Sequence, residues 1–98
     1  MTLEVSPRAV LDAERAARWW RQNRPAAASR FEEELRSVLG EIDRTPELGT
    51  VYRAVSGREH RRILMRETRH HVYYRIVAPS LVRIVAIWGA QRARGPRL

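Results

Sequence analysis

The chain has 98 residues and no cysteine, so we expect a single small domain over residues 1–98 with neither a disulfide nor a thiolate metal site. Its net charge is +8, all nineteen basic residues are arginine, and the longest apolar run, "LVRIVAIWGA", is interrupted by Arg83 and too short to span a bilayer. With no secretory signal at "MTLEVSPRAV", these features predict a cytoplasmic protein without a membrane partner.

The first predicted elements are a short strand and two helices. "TLEV" has strand character, and Ser6-Pro7 supplies a capping hydroxyl followed by a proline suited to the first helical position. Asn23 and Pro25 end this helix and begin the second, which "RTPELG" ends. The apolar stripe of the first helix is predicted to be Val10, Ala13, Ala17 and Trp20, and that of the second Ala27, Phe31, Leu35, Val38 and Ile42.

The second half of the chain has strand periodicity. A weak strand near Val51 to Ala54 precedes "HRRILMRE", "HHVYYRIV" and "LVRIVAIW", and the last is apolar enough to be covered on both faces. This order predicts an α+β fold, in which an N-terminal strand and a helical hairpin pack on a curled antiparallel sheet. The tail "GAQRARGPRL" has too little apolar content to form an element, so it is either a frayed basic end or a strip that continues the sheet edge.

Charge is distributed unevenly between the two halves. Residues 1–49 contain 8 arginines and 9 acidic residues, whereas residues 50–98 contain 11 arginines and only Glu59 and Glu67 as acids. Bias towards arginine codons explains the absence of lysine but not this placement. The basic half therefore indicates a polyanion or an acidic protein segment as its partner.

The adjacent residues His70 and His71 raise the possibility of a metal site. Neighbouring residues of a strand point to opposite faces, so two such imidazoles do not share one ion. His60 is the only other histidine, and no cysteine or carboxylate cluster completes a set of ligands. We expect neither a metal site nor a cofactor.

A metal-free ribonuclease site is the second possibility. It needs a proton-transfer group and cations that stabilise the phosphorane, and His71 with Arg62, Arg66 and Arg75 on neighbouring strands has that composition. The alternative, which the sequence favours, is a solvated strand face on which His71 has no chemical role. Among the aromatic residues, we expect only Tyr73 or Tyr74, whichever faces outward, to contact a partner.

Several segments resemble the RelE/ParE superfamily of toxins from type II toxin–antitoxin pairs. They are "SPRAVLDAERAARWW", "ASRFEEELRSVLGEID", "RRILMRETRHHVYYRIV" and "VRIVAIWGAQRARGP", which together span almost the whole chain. The resemblance implies growth inhibition, plasmid stabilisation and a hetero-oligomer with a cognate antitoxin. RelE-like members cleave mRNA on the ribosome, and ParE-like members poison DNA gyrase.

The resemblance maps the RelE-type strand lysines onto Arg62 and Leu64, and the strand arginine onto His71. The arginine after the last strand falls on Gln91, and the C-terminal tyrosine falls near Arg97. Two of these cations are therefore replaced by neutral residues, and loss of a cation that stabilises the transition state costs orders of magnitude in rate. The sequence accordingly favours a ParE-like gyrase inhibitor, with His71 and Arg62 as catalytic residues only if the chain is a ribonuclease. An inactive family member that acts only as a binding module is the third alternative.

The resemblance also divides the expected contacts between two partners. The antitoxin's wrapping segment is expected to be acidic and to contact the helical hairpin and the sheet edge through Trp19, Trp20, Phe31 and Leu35. The target is expected to contact one basic face, composed of Arg61, Arg62, Arg66, Arg69, Tyr73, Arg75, Gln91, Arg92, Arg94 and Arg97.

Overall fold

Two helices follow a first strand, and four further strands follow the helices, in the order that the sequence predicts. The structure is a computed structural model that describes residues 2–98. Its strands are β1 (Thr2–Val5), β2 (Thr50–Arg53), β3 (Glu59–Met65), β4 (His70–Ala78) and β5 (Leu81–Gly89). Its helices are α1 (Pro7–Asn23) and α2 (Arg30–Arg44), each followed by a single 3₁₀ turn, at Pro25–Ala27 and Pro46–Leu48.

The start of α1 follows the predicted capping chemistry. The Ser6 hydroxyl accepts a hydrogen bond from the Ala9 amide at 3.1 Å, and Pro7 occupies the first helical position, where no amide partner is needed. The predicted stripe is wrong at one position, because Val10 is 44% exposed and Ala9 is fully buried. Alanines at 9, 13, 16 and 17 let the helix lie close to the sheet, which rotates Val10 outward.

The second helix begins later than its predicted stripe. Ala27 belongs to the 3₁₀ turn that Pro25 opens, and α2 starts only at Arg30. From there the prediction is correct: Phe31, Val38 and Ile42 are buried against the sheet. The α+β class is therefore confirmed, with the helical hairpin on one face of a five-stranded sheet.

The sheet has the order β1-β5-β4-β3-β2. Strands β2 to β5 pair antiparallel as expected, and β1 adds a parallel pair with β5, so the complete sheet is mixed. Because β1 covers one edge of β5, and β4 the other, the apolar run of β5 lies inside the sheet.

An irregularity in β5 couples the sheet to α1. Tyr73 pairs with Ala86 and Tyr74 with Ile84, so Val85 has no opposing residue in β4. The Ser6 hydroxyl donates to the Val85 carbonyl at 3.2 Å, and an Asp12 carboxylate oxygen accepts from the Ile87 amide at 3.0 Å. Polar side chains of α1 thus satisfy backbone groups that β1 is too short to reach.

The two sheet faces have different coverings. The helix face carries Ile63, Met65, Val72 and Tyr74, which join the core beneath α1 and α2. The opposite face carries His71 and Tyr73, and the tail after β5 crosses it: the Trp88 indole donates to the Arg94 carbonyl at 2.7 Å, Arg8 donates to the Arg97 carbonyl, and Pro96 is buried. The frayed-end alternative is therefore wrong, because these contacts fix the path of the tail.

Candidate functional site

His71 and Arg62 lie on the sheet face away from the helices, on adjacent strands. His71 pairs with Leu64 across β3 and β4, and Arg62 pairs with Tyr73, so all four side chains share this face. Partial burial lowers the pKa of His71, and the nearby cations of Arg62 and Arg69 lower it further. His71 is therefore neutral at physiological pH and suited to accept a proton rather than to neutralise phosphate charge.

Arg62 is held by aromatic neighbours. Its guanidinium carbon lies 5.2 Å from the centroid of the Tyr52 ring, and Nη1 donates to the Tyr73 hydroxyl at 3.3 Å. His70, by contrast, is on the helix face, with its ring 5.1 Å from that of Phe31. The two adjacent imidazoles therefore diverge, and within residues 2–98 no three His, Asp or Glu side chains are grouped to hold a metal ion.

The expectation that one tyrosine faces outward is wrong. Tyr73 is 1% exposed, because Tyr52 packs against it at 5.0 Å and the tail passes over it near Gly95. Tyr74 is fully buried on the helix face. The sequence could not show this, since the cover of Tyr73 comes from the tail rather than from its own sheet.

The ten predicted target contacts do not share one face. Arg61 lies on the helix side and donates to the carbonyls of Glu47 and Gly49, at 3.0 and 2.8 Å. Arg75 is half-buried, with an Nε that has no hydrogen-bond partner among residues 2–98, and its strand partner is Arg83. Alternation along the strands separates these residues from one another.

A smaller group of exposed arginines lies at one end of the sheet. It comprises Arg66 and Arg69 in the turn between β3 and β4, and Arg92 and Arg94 in the tail. The Ala90 amide donates to the Arg69 carbonyl at 2.8 Å, which joins the turn to the tail. We call Arg66, Arg69, Arg92 and Arg94 the arginine edge. Arg97 is also exposed, but it lies farther along the tail.

Glu34 of α2 anchors the turn that presents Arg66 and Arg69. Its carboxylate accepts hydrogen bonds from the Glu67 amide at 2.8 Å, the Thr68 amide at 3.0 Å and the Thr68 hydroxyl at 2.7 Å. Partial burial raises the pKa of Glu34, but these hydrogen bonds outweigh it, so the pKa lies below its ordinary value of 4.5. Sequence patterning did not identify Glu34, which is one of three consecutive glutamates.

We expect Glu34→Gln to lower the free energy of unfolding at pH 7 by about 1 kcal/mol, because the amide retains only part of the charge-assisted bonding. The pKa of Glu34 is depressed in the folded state, so its stabilising effect is complete above about pH 4.5 and is lost as the pH falls through the lowered pKa. Urea unfolding of both proteins between pH 3 and pH 7 measures this. Glu14→Gln, at an exposed position with no ion pair within residues 2–98, should show no such pH dependence.

The four predicted antitoxin contacts fall into two places. Phe31 and Leu35 line an apolar groove of about 490 Å³ between α1 and α2, with the Arg21–Glu32 ion pair at 3.0 Å on its rim. Phe31 itself is 0% exposed, so it forms the floor of the groove and belongs to the core. Trp19 and Trp20 lie elsewhere.

Trp19 and Trp20 line a cavity of about 720 Å³ that also contains three of the predicted target contacts, Arg69, Gln91 and Arg92. The structure thus unites residues that the sequence assigns to different partners. It adds Arg15, Arg24, His70 and Trp88, which the sequence did not identify. The spacing of Arg15 and Trp19 places them on one helix face, but nothing in the sequence joins them to Trp88.

Within residues 2–98, no helix is both long enough and apolar enough to cross a membrane. A family model described as "ParE toxin of type II toxin-antitoxin system, parDE" matches residues 3–94. No curated protein is similar enough in sequence to match the chain.

Among solved structures, the chain is similar to a protein of the "Chromosomal ParDE TA system from P. aeruginosa", with a TM-score of 0.75 and 14% sequence identity. The superposition covers 93% of this chain and 97% of the other. At that identity the likeness shows the shared fold alone.

Proposed function

We infer that this chain, which belongs to the ParE toxin family of type II toxin–antitoxin systems, inhibits DNA gyrase and is neutralised by a cognate antitoxin. Its membership of that family confirms the resemblance indicated by the sequence. The choice of gyrase as the target rests on what the resemblance to ParE-like toxins implies and on the chemistry of the sheet face away from the helices.

The arrangement of side chains on that sheet face is the observation that supports gyrase over the ribosome as the target. Metal-free RNA cleavage needs free cations around the scissile phosphate. Here Arg62 is held between Tyr52 and Tyr73, and Leu64 lies beside His71. The tail covers Tyr73 on the same face. A face with these features is poorly suited to stabilise a phosphorane.

The arginine edge is the proposed contact surface for the gyrase–DNA complex. Its four guanidinium groups are exposed, and no ion pair within residues 2–98 involves them. Contacts of this type release counterions from DNA, so the affinity should fall steeply as the salt concentration rises.

The antitoxin is proposed to use two surfaces. An apolar helix of the antitoxin fits the groove between α1 and α2, which Ala13, Ala17, Leu35 and Leu39 line. The rim of the groove carries both signs of charge, so it does not select for an acidic segment. An acidic segment of the antitoxin would therefore pair with the arginine edge. This arrangement explains how one antitoxin segment neutralises the toxin while covering its target surface.

A gyrase supercoiling reaction with the purified chain tests the proposal. We expect lost supercoiling and accumulated linear DNA at micromolar protein, both suppressed by high salt or by the antitoxin. The double variant Arg69→Ala/Arg92→Ala should need at least about tenfold more protein for the same inhibition of supercoiling, because two charge-assisted contacts are lost. The matched control Arg53→Ala/Arg58→Ala removes the same charge from the hairpin of β2 and β3 and should behave as the parent.

A ribosome-dependent mRNA endonuclease is the second candidate, and the neutral His71 beside Arg62 is the observation that favours it. Absence of linear DNA, together with mRNA cleavage that His71→Ala abolishes in a folded protein, would replace the gyrase proposal. If expression without the antitoxin causes no growth arrest, both candidates fail and the chain acts as a binding module only.

A further inference from the structure

The cavity at the end of the sheet contains aromatic residues that the proposed role of the arginine edge does not explain. It opens between the second half of α1, the turn after β3 and the start of the tail, and its volume is about 720 Å³. That volume lies within the range of roughly 300–1,000 Å³ in which proteins bind small molecules. Its aromatic and cationic lining residues are Trp19, Trp20, Trp88, Arg15, Arg24, Arg69 and Arg92.

The cavity contains every tryptophan of the protein. The rings of Trp19 and Trp20 meet edge to face at 5.7 Å, and Trp19 is 48% exposed. The guanidinium carbon of Arg24 lies 5.5 Å from the Trp19 ring, and that of Arg92 lies 4.1 Å from the Trp88 ring. Flat aromatic and guanidinium surfaces of this kind stack on planar rings.

The arginines of the cavity outnumber its carboxylates by four to two. Within residues 2–98, no ion pair involves Arg15, Arg24, Arg69 or Arg92. The two carboxylates that line the cavity are already engaged: Asp12 accepts from the Ile87 amide, and Glu67 pairs with Arg30 at 3.5 Å. Four guanidinium groups around one cavity therefore favour an anionic ligand.

His70 adds a neutral polar group to the wall. Its Nδ1 is buried near the Thr68 backbone. Burial lowers the pKa of His70 and outweighs the opposing effects of the Thr68 backbone and Glu34, so the ring is uncharged at neutral pH.

From this arrangement we propose that the cavity binds a nucleoside phosphate, either as a free nucleotide or as the end of a single-stranded nucleic acid. The base stacks on Trp19, whose ring is half exposed, and the phosphate lies among Arg15, Arg24, Arg69 and Arg92. An acidic peptide fits less well, because its carboxylates would use the guanidinium groups and leave the indoles in contact with water.

Intrinsic fluorescence tests the site directly, because all three tryptophans of the protein line it. We expect dAMP to quench the emission of the full-length chain along a saturable curve and deoxyadenosine to bind at least about tenfold more weakly, since it lacks the phosphate. A 5′-phosphorylated hexamer of deoxyadenosine identifies the source: tighter, salt-sensitive binding than dAMP indicates a nucleic-acid end, and equal affinity indicates a free nucleotide.

Two variants assign the binding to the cavity. Arg92→Ala should weaken dAMP about tenfold or more, and Trp19→Ala should weaken it without opening the core, since the ring is half exposed. The control Arg58→Ala removes one equivalent charge from an exposed position outside the cavity and should bind dAMP as the parent does. Circular dichroism shows that each variant is folded.

Three results would overturn the proposal. They are no saturable response to dAMP, equal binding of dAMP and deoxyadenosine, or quenching by hexaglutamate with none by dAMP. The proposal does not rest on gyrase as the target. A chain that inhibits gyrase without binding dAMP refutes this inference alone, and a chain that binds dAMP without inhibiting gyrase refutes the proposed target alone.

Discussion

Replacing Phe31 with alanine is expected to lower the free energy of unfolding by about 3–5 kcal/mol, the usual effect of removing a fully buried aromatic ring. The ring is 0% exposed, joins the main core cluster and meets His70 edge to face at 5.1 Å. Because the ring projects from α2 onto His70 of β4, the space left behind cannot close without moving α2. Urea unfolding of the isolated chain at 25 °C measures the change.

Leu35→Ala is the matched comparison for that variant, since Leu35 lines the same groove but is only partly buried. We expect it to cost less than half as much stability and to weaken the antitoxin more, because its side chain is available for contact. If Phe31→Ala instead leaves unfolding unchanged and weakens only the antitoxin, Phe31 is an interface residue and its assignment to the core is wrong.

Tyr74→Phe is expected to lower the free energy of unfolding by about 1–3 kcal/mol, through the loss of one oxygen atom. The Tyr74 hydroxyl donates to the Pro46 carbonyl at 2.6 Å and accepts from the Gly49 amide at 2.9 Å, in a buried site. These bonds join the end of α2 to β4. Without the hydroxyl, a buried donor and a buried acceptor have no partner.

The effect of Tyr74→Phe has a control and an independent check. Tyr52→Phe removes the same atom from a half-buried ring whose hydroxyl has no hydrogen-bond partner within residues 2–98, and it should be nearly neutral. Gly49→Ala should destabilise by at least as much as Tyr74→Phe, because the new Cβ would lie 2.6 Å from the Tyr74 hydroxyl and 2.9 Å from its ring. Unchanged thermal unfolding of Gly49→Ala would contradict this close approach.

The expected stability losses of Phe31→Ala and Tyr74→Phe also determine which substitutions are informative in an activity assay. Substitutions at Phe31 or Tyr74 would change activity through lost stability, because both side chains are buried, whereas those at the arginine edge remove exposed side chains. A toxin assay should therefore compare Arg69→Ala/Arg92→Ala with the matched control Arg53→Ala/Arg58→Ala. Loss of activity in the first pair alone would then report on contacts rather than on folding.

Local patterns in the sequence determined much of the architecture. Ser6 and Pro7 predict the start of α1, because capping requires only neighbouring residues. Period-two alternation separates His70 from His71 whatever the rest of the fold does. The long apolar run predicts an interior strand, and β5 is one. In each case the physics operates within a few residues, so the sequence alone suffices.

The path of the tail was decided by tertiary structure. Its composition suggests an unpacked basic end, yet Pro96 is buried and the Arg94 carbonyl accepts from the Trp88 indole. The partners of the tail come from β2, β4, β5 and α1, which no local pattern specifies. This contact buries Tyr73 and overturns the expectation that a tyrosine faces outward.

The sequence by itself determined the family resemblance, the order of helices and strands, and the concentration of arginine in the second half. Only the tertiary structure decided which arginines share a surface. Arg69 and Arg92, like Trp19 and Trp88, are distant in sequence and line one cavity. The physical reason is that such a site joins side chains of separate elements, whose positions depend on contacts between residues far apart in the chain.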